Sequence, residues 1–353
     1  MSKSEKRTEL EQLGEFGLID ELTKDFEPIN DSTIKSIGDD AAVLAPTKNQ
    51  RLISTDLLVE GIHFDLMYTP LKHLGYKSAV VNFSDIVAMN GTPKQMIVGL
   101  AVSNRFSLEA LKELYAGFKA ACKKYNVDLV GGDTTSSSSG LFISVSIVGE
   151  APEEDVVYRS TAMQGDLLCV TGDLGGAYMG LMLLEREKKV FRESKGANIQ
   201  PDLSGFDYIL GRQLRPEARL DIVQALKKLD VKPTSMIDIS DGLASEALHI
   251  ARDSGLGVNL YEEKIPIDYS THNMAEQFKL VPSLAALNGG EDYELLFTID
   301  QKDYDKIKGM REITVIGHMV DKSFGENLIT NDNCSIPLKA QGWDHMKQDS
   351  EKK

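Results

Sequence analysis

The sequence predicts a two-domain protein of mixed α/β (α+β) class. Three observations carry this. At 353 residues the chain can bury two cores. Strand-like and helix-like patterns alternate in both halves. Between the halves lies a polar, proline-containing break, Gly149-Glu150-Ala151-Pro152-Glu153-Glu154-Asp155. The domains are therefore read as 1–150 and 151–345, with a charged tail over 346–353.

In chain order, residues 8–26 read as a helix and strands follow near 34–37, 41–45 and 51–55. Residues 70–88 are apolar almost all round, which predicts a buried helix. A strand over 96–102 precedes a helix opened by Ser107, with Glu109 and Glu113 in its first turns. Strands at 128–130 and 141–148 flank a stretch rich in Gly, Ser and Thr, read as a loop. In the second half the pattern gives a strand at 166–171, a glycine turn and a helix at 177–188. Residues 191–204 are polar and read as a surface excursion. Pro216 suits the first turn of a helix running to Leu229. Strand 235–239, helix 242–254 and strands at 258–261, 293–299 and 313–316 complete the reading. Strand order is not encoded in this pattern.

Composition narrows the partners. A charge of −15 argues against nucleic acid and anionic membrane surfaces, both of which need a cationic footprint. An acidic site for a phosphate would need a cation in between. The opening MSKSEKRTELEQ has no apolar stretch, so no secretory leader is expected. Cys122, Cys169 and Cys334 lack metal-type spacing, and buried or incidental thiols in a reducing cytoplasm are expected.

Acids recur at strand ends and helix starts beside glycine or a hydroxyl residue. They stand in Gly38-Asp39-Asp40, Ser54-Thr55-Asp56, Ser84-Asp85, Gly131-Gly132-Asp133, Asp238-Ile239-Ser240-Asp241-Gly242 and Gly289-Gly290-Glu291-Asp292-Tyr293-Glu294. Any one of them alone reads as a cap or a turn. Their number changes the balance. Asp85 shares a helix face with Asn82, inside an otherwise apolar helix. Two carboxylates ~4 Å apart repel by roughly 4 kcal/mol at an effective dielectric of 20. A divalent cation relieves such crowding, and hard oxygen donors without His or Cys select Mg²⁺ or Ca²⁺ over zinc. The sequence holds no G-x-x-x-x-G-K-[ST] loop, no protein-kinase motif set and no EF-hand loop. Metal-dependent chemistry on an anionic ligand remains, beside a non-catalytic cation or nucleotide sensor using the same carboxylates. Gly172-Asp173-Leu174-Gly175-Gly176 could cradle a phosphate or make a tight strand–helix turn.

Taken in order, the motifs resemble those of thiamine-monophosphate kinase, within the aminoimidazole-ribonucleotide-synthetase-like ATP-dependent superfamily. The matching stretches include I-G-D-D-A-A-V (37–43), S-T-D-L-L-V-E-G-I-H-F (54–64), V-N-F-S-D-I-V-A-M (81–89), G-G-D-T-T (131–135), Y-R-S (158–160), V-T-G-D-L-G (170–175), L-R-P (214–216), I-D-I-S-D-G-L (237–243), G-G-E-D-Y-E-L (289–295) and G-W-D-H (342–345). The ordered set spans nearly the whole chain. Another synthetase of the superfamily is the alternative; selenophosphate synthetase would show a reactive Cys near its start, whereas the first here is Cys122.

The resemblance implies ATP- and Mg²⁺-dependent phosphorylation of thiamine monophosphate to thiamine diphosphate, by direct transfer, in the cytoplasm. It implies an N-terminal sheet domain that forms a homodimer barrel and a C-terminal α/β domain that closes over nucleotide and substrate. It further implies that Asp40, Ser54, Thr55, Asp56, Asp85, Asp133, Asp238 and Asp241 hold several Mg²⁺ ions, with Asp40, Asp133 and Asp241 central to catalysis. Gly132, Asp133, Arg159 and Ser240 correspond to residues that contact ATP. His63, Glu291 and Trp343 correspond to residues that contact the thiamine phosphate. The resemblance leaves Asp39 pointing away from the metal, to orient the glycine turn or to cap neighbouring amides.

Overall fold

The computed structural model describes residues 7–194 and 201–341. The chain divides into two compact units, one ending at Val156 and the other beginning at Val157. Among the described residues no helix is long and apolar enough to cross a membrane.

The first unit opens with a 3-10 turn at Leu10–Gln12 and helix α1 (Gly14–Thr23). The predicted 8–26 helix is shorter because Gly14, at φ +66°, interrupts it. Strands β1 (Thr33–Lys35) and β2 (Val43–Leu44) pair antiparallel. Residues 37–41 between them form a bend. Asp39 and Asp40 therefore stand in a hairpin loop, between the two strands.

Strand β3 (Gln50–Val59), helix α2 (Leu71–Ala88), strand β4 (Thr92–Val102), helix α3 (Leu108–Tyr125) and strands β5 (Asp128–Ser136) and β6 (Leu141–Ala151) complete this unit. The sheet order is β3-β6-β4-β5, with only β4 and β5 parallel. Helix α2 is buried on nearly every side, as its apolar run predicts. It crosses α3 at two glycines, for a Cβ on Gly75 would lie 2.0 Å from the Leu114 carbonyl oxygen and one on Gly117 2.1 Å from that of Lys72. Ser107 caps α3, its Oγ accepting from the Ala110 amide at 3.3 Å.

Two readings are corrected here. Gly131–Thr135 is not loop but strand, because parallel pairing from Ile97↔Gly131 to Val102↔Ser136 fixes its backbone despite weak strand propensity. The expected break at Gly149–Asp155 begins later, since β6 runs to Ala151 opposite Gln50, leaving a 3-10 turn at Glu153–Asp155.

The second unit comprises β7 (Leu167–Thr171), α4 (Gly176–Glu193), α5 (Asp207–Leu214), α6 (Leu220–Lys228), β8 (Ser235–Asp238), α7 (Leu243–Asp253) and β9 (Gly257–Tyr261). Helices α8 (Tyr269–Gln277) and α9 (Pro282–Asn288), strand β10 (Leu295–Ile299), helix α10 (Tyr304–Ile307) and strands β11 (Ile313–Val320), β12 (Glu326–Ile329) and β13 (Ser335–Pro337) follow. Its sheet runs β13-β12-β9-β11-β7-β10-β8, antiparallel except for β12 with β9. Leu168, Val170, Leu296, Ile316 and Leu260 from the strands pack on Ala247 and Ile250 of α7.

Pro216 does not open a helix. Arg215 before it is non-helical, as a residue preceding proline prefers, and α6 starts only after Arg219. The excursion read at 191–204 begins later, because α4 continues to Glu193; residues 195–200 lie outside the described residues. The tail over 346–353 also lies outside them.

Candidate active site

In the first unit the candidate ligands sort onto two faces of one sheet. Along β3 Leu52 and Leu58 are buried, and Ser54 and Asp56 alternate in step with them on the helix-covered face. From α2, Asp85 reaches this face and accepts a hydrogen bond from Ser54 Oγ at 2.5 Å. Burial, reinforced by the negative charge of Asp56, pushes the Asp85 carboxyl up to about 6, against the stabilising pull of the Ser54 hydroxyl. Asn82, one turn earlier on α2, is fully buried and donates to the Ser78 carbonyl at 3.0 Å, while its Oδ1 has no hydrogen-bond partner among the described residues.

Thr55 lies on the opposite face. Its hydroxyl is 2.9 Å from that of Ser146, its cross-strand neighbour, between the exposed Ile53 and Leu57. Asp133 pairs with Gly99, which pairs with Ser144, which pairs with Leu57. The register therefore puts Asp133 and Thr55 on the open face, away from Ser54, Asp56 and Asp85. Gly132 has a structural reason to be glycine, because a Cβ there would meet the Val98 carbonyl oxygen at 2.1 Å.

Asp40 is exposed in the β1–β2 loop, and Asp39 Oδ1 accepts its backbone N–H at 3.0 Å. The capping role expected of Asp39 is thus seen directly. His63 sits in the turn after β3, where its Nδ1 accepts from the Val59 amide at 3.0 Å, so a neutral ring carries its proton on Nε2.

In the second unit three loops meet. Asp238 and Ser240-Asp241 leave β8, Glu291 and Asp292 precede β10, and Gly172–Gly175 joins β7 to α4. The first two are joined by backbone bonds, Glu291 N–H to the Ser240 carbonyl at 2.7 Å and Tyr293 N–H to that of Ile239 at 2.9 Å. Glu246, buried on α7, accepts the Asp241 amide at 3.1 Å. Its carboxyl rises to about 8 through burial, opposed by that amide and reinforced by Asp241 and Asp238. Glu291 accepts from Gln213 Nε2 at 2.9 Å. Arg159 is exposed and pairs with Asp253 at 3.0 Å, a surface ion pair of small energetic weight. Trp343 lies outside the described residues.

The glycine turn after β7 is a tight strand–helix turn. The Asp292 carboxylate takes the Gly175 amide at 2.7 Å and the Ala177 amide at 3.3 Å, and the side chain of Glu294 fills the space a Cβ on Gly172 would need. This region holds a network that the sequence reading missed. Glu294 accepts from Arg212 at 2.8 Å, from Arg219 at 2.5 Å and from the Thr171 hydroxyl at 2.5 Å. Burial opposes the charge on Arg212, but Glu294, Asp292 and Asp173 outweigh it and its pKa rises. The available signal was the Glu-Asp-Tyr-Glu run at a strand entrance, since acids entering a core require a cation.

Among the described residues no group of three or more His, Cys, Asp or Glu side chains is gathered as a metal site. The donor chemistry nevertheless suits Mg²⁺. Ser54, Asp56 and Asp85 offer hard oxygens, and the carboxyl that burial and a neighbouring charge disfavour is one a cation would stabilise.

The two units and their carboxylate-lined loops are those of the AIR synthase-related class: residues 38–151 match AIR synthase related protein, N-terminal domain, and 164–326 its C-terminal domain. Among curated relatives, thiamine-monophosphate kinase of Bacillus subtilis (strain 168) is 33% identical, covering 95% of this chain and 100% of its own. That of Aquifex aeolicus (strain VF5) is 36% identical over 96% and 99%. A solved structure described as AaThiL complexed with AMPPCP and TMP superposes with a TM-score of 0.70 at 33% identity, covering 97% of this chain and 100% of that one. The chain belongs to the thiamine-monophosphate kinase family.

Proposed function

We propose that this chain transfers the γ-phosphoryl group of ATP to thiamine monophosphate, giving thiamine diphosphate and ADP in thiamine biosynthesis. Full-length similarity to thiamine-monophosphate kinases supports the reaction. The structural observation that carries it is the Ser54–Asp85 contact beside Asp56, a hard-oxygen cluster with an unfavourable buried charge.

Ser54, Asp56 and Asp85 would hold Mg²⁺ on one face of the sheet, and Thr55 and Asp133 on the other. This division suits several ions better than one. Asp40 and Asp241 supply further carboxylates from loops, and Asp238 one from the end of β8. When bound, Mg²⁺ neutralises phosphate charge and lets two anionic groups approach. Arg159, Ser240 and the backbone at Gly132 are assigned to ATP, and His63, Glu291 and Trp343 to the thiamine phosphate. No protein nucleophile is needed, because the acceptor phosphate oxygen is already anionic. Transfer is therefore read as direct and in line.

The open sheet face of the first unit carries Ile53 and Leu57 at 74% and 56% exposure, and we assign it to a second copy of the chain. The reaction is placed in the cytoplasm, where the free thiols of Cys122 and Cys169 stay reduced.

The test is turnover. Protein, Mg-ATP and thiamine monophosphate should yield thiamine diphosphate and ADP in equal amounts; no product over a range of Mg²⁺ rejects the reading. Asp40→Asn should reduce the rate severely, whereas Asp39→Asn should retain most of it, since an amide oxygen still accepts the residue 40 N–H.

A pH prediction follows from Asp85. Its folded pKa, about 6, exceeds the reference 3.8, so the folded state keeps a proton that the unfolded state releases. Its contribution to stability is full below pH ~4 and is lost as pH rises through ~6. In metal-free protein Asp85→Asn should be near neutral at pH 4.5 and stabilising at pH 7.5. Melting temperatures in chelator at both values decide it; a variant less stable at both contradicts the stated cause.

A further inference from the structure

Glu291 and Tyr293 are both left-handed, at φ +59° and +53°, and Asp292 between them is buried. Such a backbone persists only where its surroundings impose it. The Asp292 carboxylate points into the molecule, onto the first amides of α4 at 2.7 and 3.3 Å, with Arg212 Nη2 at 3.6 Å. The Glu291 carboxylate goes elsewhere, to Gln213. Arg212 and Gln213 are consecutive residues in the last turn of α5, so one helical turn grips the acids at 291, 292 and 294 in succession. Arg212 also donates to the Asp173 carbonyl at 2.8 Å, which ties the grip to the turn after β7.

We propose that Asp292, clasped by Arg212 and the first amides of α4, is a positioning residue that aims Glu291 at the thiamine phosphate. The inference rests on the assignment of Glu291 to that substrate. Asp292 is too enclosed to touch the substrate itself, and it acts by holding two left-handed neighbours. Freeing it lets residues 290–293 relax toward ordinary backbone angles and moves the Glu291 carboxylate off target. Ser240 is joined to this segment through its backbone carbonyl, which accepts the Glu291 N–H, but its loop has a second anchor in Glu246 on the Asp241 amide, so ATP binding should be less affected.

The experiment measures KM for thiamine monophosphate and for ATP separately, with kcat and melting temperature, in wild type, Asp292→Asn, Glu291→Gln and the double variant. Asp292→Asn keeps the shape and one acceptor but loses the charge facing Arg212. It should raise KM for thiamine monophosphate about tenfold, with kcat and KM for ATP within about twofold. The double variant should be no worse than Glu291→Gln, since both changes remove one function. Equal rises in both KM values, a lowered melting temperature with unchanged kinetics, or additive effects in the double variant would each overturn the proposal. If Asp292→Asn does not fold, Arg212→Lys, which keeps the charge and loses the planar fork, must show the same split or the proposal fails. Wild-type turnover is the internal control: without it the kinase reading falls and the inference with it, whereas normal wild-type turnover with no split removes the inference alone.

Discussion

Asp133→Asn is expected to lower kcat for thiamine diphosphate formation by about three orders of magnitude, with the fold retained. Losing a group that organises transition-state charge costs about 10²–10³ in rate, and a carboxylate that holds a divalent ion belongs at the upper end. Asn has nearly the same volume. Within this chain position 133 is exposed on edge strand β5 opposite Gly99, and an Asn of like volume also keeps the packing that the open face would make with a second copy. Stability should stay within about 0.5 kcal/mol, the usual range for surface changes. Phosphoryl transfer assays and a thermal melt settle both halves. A variant with wild-type kcat would remove Asp133 from the site; one that melts far lower would make the residue structural.

The largest stability effect is expected at Glu294. Its carboxylate is 2% exposed and joins Arg212 and Arg219, themselves 15% and 12% exposed. Glu294→Ala leaves two enclosed guanidinium groups without their shared counter-charge, and removing one member of a buried pair costs about 3–5 kcal/mol. At roughly 2–4 °C per kcal/mol for units of this size, the second unit should melt about 6–20 °C lower. Glu294→Gln should cost less, because it can still accept from one arginine and from Thr171. An Ala variant within about 1 kcal/mol of wild type would show that the network contributes little.

The two-domain α/β class was legible because burial repeats along the chain; α2, buried almost all round, was visible as an unbroken apolar run. What failed depends on partners distant in sequence. Gly131–Thr135 has the composition of a loop and becomes a strand only because β4 lies beside it. Asp39 and Asp40 were read at a strand end, and only the pairing of Thr33 with Leu44 shows that they stand in a hairpin loop. The candidate ligands were recognisable from their motifs, yet their division between two faces was not, since it follows from strand register. Glu294 was visible in its acidic turn, but its partners Arg212 and Arg219 escaped notice, because an arginine on a short helix looks like surface until its partner, 75 to 82 residues away, is known.

Asp128 opens the edge strand and is nearly inaccessible. It accepts from the amides of Ile29 and Asn30 and from the Thr33 hydroxyl, groups 95 to 99 residues earlier. During synthesis at about 5–20 residues per second, those donors are added to the chain roughly 5–20 s before their acceptor. The segment carrying the Asp40 loop must wait that long for its anchor.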